Sequence, residues 1–97
     1  MNLTEYHYEI LNILNKKYPK SLRKNSLLAL LSNKNSDKFD REIKYLEEYK
    51  LLEEKVFGAG ELQIFSVQFP ILISLSLKIT EDGINVLRAK KREGKDL

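Results

Sequence analysis

Apolar residues return at helical spacing through the first eighteen positions. At about 100° per residue, Leu3, Tyr6, His7, Ile10, Leu11, Ile13, Leu14 and Tyr18 share one broad arc, and Glu5, Glu9, Asn12 and Lys16 share the other. Tyr8 falls on the polar side, beside Asn12 and Asn15. Thr4 can cap the N-terminus and Pro19 blocks continuation, so the pattern predicts a helix from about Thr4 to Tyr18. A second helix is predicted to begin between Ser21 and Ser26. It carries Leu27-Leu28-Ala29-Leu30-Leu31, apolar nearly all round, and is expected to be the central buried helix of a three-helix core.

The cluster from Ser32 to Ser36 is a turn, with Ser36 the expected N-cap of a third helix reaching about Lys50. Phe39, Ile43, Leu46 and Leu51 form its apolar stripe, which runs directly into a strand over Leu52–Phe57. Gly58-Ala59-Gly60 is a tight turn. From Ile71 to Ile79 the odd positions are Ile, Ile, Leu, Leu and Ile while the even ones are mostly polar, the period of a half-buried strand. Residues 62–67 are either a separate strand or part of one long arm bulged at Pro70. Thr80, followed by Glu81 and Asp82, opens a last helix that reaches about Arg92.

Helix, turn, helix, strand hairpin and capped helix make an α+β chain of one domain over residues 1–97. The order predicts a winged helix-turn-helix: a three-helix core, a β-hairpin wing and a C-terminal helix. The sequence has no Cys, so it offers no disulfide, thiolate metal ligand or thiol nucleophile. The N-terminus has no basic segment followed by an apolar one, and the uncharged stretch 62–77 is too short and polar to span a bilayer. A cytoplasmic protein with no membrane partner is expected.

Net charge is +3, and its distribution matters more than its sum. Residues 10–36 hold six bases and no acid, whereas residues 37–54 hold four bases against seven acids. Lys16, Lys17, Lys20, Arg23 and Lys24 therefore form a candidate phosphate-binding segment, or else a solvated loop beside Pro19. The outward face of the third helix centres on Asp37, Arg41, Lys44 and Glu48, flanked by Lys38 and Tyr45. In a helix-turn-helix that face enters the major groove, where Arg41 and Lys44 could reach guanine edges or phosphates. The competing reading is a solvated surface, because Asp37–Arg41 and Lys44–Glu48 are ordinary i,i+4 ion pairs.

Catalysis has little to stand on. The single His7 lies on the apolar arc and is expected to be a hydrogen-bonded core residue. The adjacent acids Glu47/Glu48 and Glu53/Glu54 point apart and are expected to be solvated rather than paired. No zinc ligand set and no Gly-rich phosphate loop are visible, so no enzyme, metal or cofactor is expected.

Phe39, Ile43, Leu46 and Leu51-Leu52, followed by Ile79-Thr80-x-x-Gly83-x-x-x-Leu87, resemble the small winged-helix proteins of the MarR-like and PadR-like type. With Tyr8-Glu-Ile-Leu, Asp37-Lys-Phe-Asp and Ile-Thr-Glu-x-Gly, the chain is closer still to the short, phage-associated YjcQ-like group. The resemblance covers residues 6–92; the MarR-like and PadR-like relatives bind the major groove with helix 3, which points to Lys38, Arg41, Lys44 and Tyr45, while the YjcQ-like group implies the fold and little about activity. Two departures stand out. Lys50 occupies the place where those families usually carry Gly, so the helix ends differently or Lys50 takes a left-handed conformation. The expected wing also lacks charge from Leu62 to Leu77.

That uncharged arm carries more apolar surface than one sheet face can hide, which points to a homodimer in which Phe65, Val67, Phe69 and Leu72 form the interface. Helix 1 and the C-terminal helix are the competing surfaces. Two functions follow: a regulator that binds duplex DNA, or a winged-helix interaction module that touches no DNA.

Overall fold

The structure is a computed structural model that describes residues 2–57 and 74–95. These form an α+β fold of four helices and a three-stranded antiparallel sheet: α1 (Glu5–Lys17), β1 (Leu22–Arg23), α2 (Lys24–Leu30), α3 (Ser36–Glu48), β2 (Leu52–Phe57), β3 (Ser74–Ile79) and α4 (Glu81–Lys95). Among the described residues no helix is long and apolar enough to cross a membrane. Phe65, Val67, Phe69 and Leu72, with the question of strand number in 62–73, lie outside the described residues.

α1 begins as its sequence requires. The His7 N–H donates to Thr4 Oγ1, and the Thr4 N–H donates to His7 Nδ1 at 2.9 Å. This is a capping box in which His stands at the position more often held by Glu or Gln. Tyr6, His7, Ile10, Leu11 and Leu14 turn inward, making α1 the most deeply buried helix. That displaces the role expected of α2. In its leucine run Leu27 and Leu31 are buried, but Leu30 is 57% exposed and Ala29 is on the surface. One helix can bury only the stripe that faces its neighbours, however apolar the rest of it is.

β1 was not expected from the pattern, because two residues are too few to show a period. It pairs with β3 through Leu22↔Leu77 and Arg23↔Ser76, and β2 pairs with the other edge from Leu52↔Ile79 to Phe57↔Ser74. The resulting order is β1-β3-β2. Flanked on both sides, Ser76 is buried although it falls on the polar phase of its strand, while Leu75, on the apolar phase, is 36% exposed. Leu77 and Ile79 lie in the core, as their period requires.

α3 starts one residue earlier than expected in its capping: Asn35, not Ser36, is the N-cap, and its Oδ1 accepts from the Lys38 N–H at 3.0 Å. Asn fits the cap because its short side-chain oxygen reaches the orphan N–H groups of the first turn. At the other end the Lys50 N–H donates to Glu47 O at 2.9 Å and the Leu51 N–H to Leu46 O at 3.0 Å. These two bonds define a Schellman motif, and its left-handed position is filled by Lys50 at φ 58°. The turn then anchors α4. Thr80 Oγ1 donates to Lys50 O at 2.7 Å and accepts from the Gly83 N–H at 3.1 Å, and the Thr80 N–H donates to Leu51 O. A Cβ at Gly83 would lie 2.2 Å from Leu51 O, so only glycine allows α4 to seat there.

Candidate nucleic-acid interface

α3 packs its Phe39, Ile43 and Leu46 stripe on the core, which leaves two flanks and an outward face. The flank nearest α1 is occupied by the chain itself. The Tyr45 ring stacks on His7 with centroids 4.8 Å apart and planes 14° from parallel. Its hydroxyl donates to Asn2 O at 3.1 Å and accepts from the Asn2 N–H at 3.2 Å. The Lys38 ammonium lies 5.1 Å from the centroid of the Tyr6 ring. The Glu42 carboxylate lies against His7 Nε2. Because Nδ1 accepts from the Thr4 N–H, the ring proton belongs on Nε2, where it faces the Glu42 carboxylate. Tyr45 and Lys38 are thus half-buried and engaged in holding the N-terminus of the protein to α3.

On the outward face Asp37, Arg41, Lys44 and Glu48 are all exposed. Arg41 keeps 72% of its side chain in solvent, with Nε 3.6 Å from Glu42 Oε1. On the far flank a cleft of about 460 Å³ is lined by Lys24, Asp40, Arg41, Lys44, Glu47 and Glu54, among others. There Lys24 Nζ lies 3.3 Å from Asp40 Oδ1, a pair of a half-buried lysine and an exposed carboxylate that brings the end of the basic segment against α3. Glu47 also faces this cleft, which it shares with Glu54 of β2. Burial first, and then the nearby Glu54 carboxylate, raise the Glu47 carboxyl above its ordinary range, against the pull of Lys24 and Lys44. Glu48, Glu53 and Glu54 are exposed and Glu47 is half-buried. Neighbours in sequence point apart, but a helix and a strand can bring two distant carboxyls together.

The basic segment does not form one patch. Lys17, Lys20 and Arg23 are exposed along the α1–β1 connection, and Lys24 joins the α3 cleft. Lys16 turns instead to a groove of about 890 Å³ between α1, the end of α2 and α4, whose lining it shares with Lys90 and Lys91. Tyr8, Ile13, Leu30 and Leu87 supply the apolar lining of that groove. Lys90 caps the Tyr8 ring at 4.1 Å and pairs with Glu5 at 3.6 Å, and Glu9 accepts from the Ser32 N–H and hydroxyl at 3.0 and 2.9 Å. Lys34, the remaining base of the acid-free stretch, donates to Leu31 O at 2.9 Å and serves the end of α2.

Asp40, Glu42 and Glu54 were missed by reasoning from the sequence. The i,i+4 step from Lys38 to Glu42 and the further i+3 step to Tyr45 were a usable signal, since they mark one stripe beside the core stripe. Nothing local marks Glu54 as a partner of Glu47. No family model, curated protein or solved structure matches this chain.

Proposed function

We propose that this is a winged helix-turn-helix protein of the MarR-like and PadR-like type, nearest to the YjcQ-like group, that acts in the cytoplasm as a small transcriptional regulator binding duplex DNA. The order helix–strand–helix–helix–strand–strand–helix with a β1-β3-β2 sheet is compatible with that fold. The observation that carries the functional reading is the placement of Lys24 beside Arg41 and Lys44 in one cleft. It joins a phosphate-positioning segment to the exposed face of the helix that would enter the groove. Arg41 and Lys44 are the residues for base edges, and Lys20, Arg23 and Lys24 those for phosphates. Lys38 and Tyr45 support the reading helix through their contacts with Tyr6, His7 and Asn2.

Anisotropy titration of a labelled duplex tests this. Affinity is expected to fall steeply with salt, Lys20→Ala or Arg23→Ala to weaken all sequences alike, and Arg41→Ala to change sequence preference. Absence of binding at low salt and about tens of micromolar protein overturns the proposal.

A specific observation favours a second reading, an interaction module that forms a homodimer without DNA contact. Leu30 is 57% exposed at the α1/α4 groove, beside Ile13 and Leu87. Sedimentation of the wild type and of Leu30→Glu separates the readings: a dimer that Leu30→Glu dissociates, in a protein that binds no duplex, supports this one.

A further inference from the structure

The outward face of α3 carries a restricted set of chemistries. Along its solvent stripe stand Asp37, Arg41, Lys44 and Glu48, with Asp40 on the flank toward Lys24. Every one of these side chains is charged. Arg and Lys donate to the O6 and N7 acceptors of guanine, and Asp and Glu accept from the N4 amino group of cytosine. Adenine is read by an Asn or Gln amide using both its ends, and the thymine methyl by an apolar contact. The stripe has neither.

The amides nearest to it are already used. Asn35 Oδ1 accepts from the Lys38 N–H, and Asn33 Oδ1 accepts from the Asn35 N–H at 2.9 Å. Ser36, a hydroxyl that could address any base, lies about 100° around the helix from Asp37 and off the stripe. The aromatic group that flanks the stripe, Tyr45, has its ring on His7 and its hydroxyl on Asn2.

Spacing sets the length of the site. Asp37 and Lys44 are seven residues apart, which is roughly 10 Å along a helix and spans about three base pairs of B-form DNA. The N-terminal turn of the helix comes first into the groove, and it carries Asp37 followed one turn later by Arg41.

We infer that α3 selects a run of about three G·C base pairs, with Arg41 and Lys44 donating to guanines and Asp37 accepting from a cytosine amino group, and that it discriminates against A·T pairs in that run. The inference rests on the reading of this chain as a duplex-binding protein. In it the acids of α3 are specificity determinants: where Asp37 meets only the acceptors of guanine or thymine, its carboxylate faces the groove unpaired and penalises the site.

The experiment compares full-length protein on duplexes of equal length at one low ionic strength: one with a central G·C run, one wholly A·T, and the G·C duplex with 7-deazaguanine, which lacks the N7 acceptor, at single positions. The expected result is tighter binding to the G·C duplex and a loss of about 5- to 150-fold at the 7-deazaguanine position that meets Arg41. Asp37→Asn, an exposed change that leaves the core untouched, is expected to shift preference at one position from cytosine toward adenine, with an unchanged circular dichroism spectrum. Equal affinity for the G·C and A·T duplexes, or indifference to 7-deazaguanine at every position, overturns this inference and leaves duplex binding standing. Failure to bind any of the duplexes overturns both.

Discussion

The two sides of α3 use similar residues for opposite ends. Toward α1, Lys38, Glu42 and Tyr45 are drawn into contacts with Tyr6, His7 and Asn2, and the N-terminus of the chain is tied down by them. Toward solvent, Asp37, Arg41 and Lys44 make at most surface ion pairs, which contribute little because water screens them. A charge or a hydroxyl on a helix thus has no fixed role. What decides is whether a second element removes its water and supplies a partner.

That comparison can be broken hardest on the inner side. Gly83→Ala places a Cβ against Leu51 O at the turn that ends α3, and is expected to cost about 3 kcal/mol or more in a denaturant titration. His7→Leu removes both the capping-box acceptor for Thr4 and the partner of Glu42, and a loss of about 1–3 kcal/mol is expected, with the fold retained. A His7→Leu protein as stable as wild type would show that the inner flank is no better anchored than the outer one. Lys50→Gly relieves a left-handed non-glycine residue and is expected to gain about 1 kcal/mol, seen as a higher denaturation midpoint at unchanged slope.

Glu47 tests the cleft between the two sides through pH. Its folded carboxyl titrates above the ordinary carboxylate range, chiefly by burial. The folded state therefore holds this proton more tightly than the unfolded chain. Its contribution is fully present below the ordinary carboxylate range and is lost as pH rises through the raised folded value. Glu47→Gln, which removes the half-buried charge beside Glu54, is expected to be more stable than wild type by up to about 1 kcal/mol at neutral pH, with the advantage shrinking on acidification. An advantage that grows toward low pH would reverse the assignment. Smallest of all, Arg41→Ala is expected to change stability by no more than about 0.5 kcal/mol, and a larger loss by thermal denaturation would mean that Arg41 serves the fold.

α1, α3 and α4 were legible because each presents a repeated stripe and a capping signal, whereas Arg23, the N-cap of α2, makes no side-chain cap bond. Thr4 and Thr80 cap as their positions suggest, and Phe39, Ile43 and Leu46 are buried as their spacing requires. Lys50 resolves the alternative left open by the missing glycine: the left-handed turn survives and the lysine adopts it. The site was less legible. Lys38 and Tyr45 sit at the border of the outward face, where a rotation of one residue's width decides between solvent and a neighbour. Lys16 and Lys24, eight residues apart in one basic segment, diverge to different surfaces because the α1–β1 connection turns between them.

Periodicity, caps and turn residues act through contacts within a few positions of the chain, and those contacts by themselves determined where α1, α3 and α4 form and which stripe each buries. The sheet order, the burial of Ser76, the exposure of Leu30, the approach of Glu47 to Glu54 and the pairing of His7 with Glu42 were decided only in three dimensions. Each depends on which distant element comes to lie alongside and excludes water there, and a single linear pattern contains no term for that neighbour.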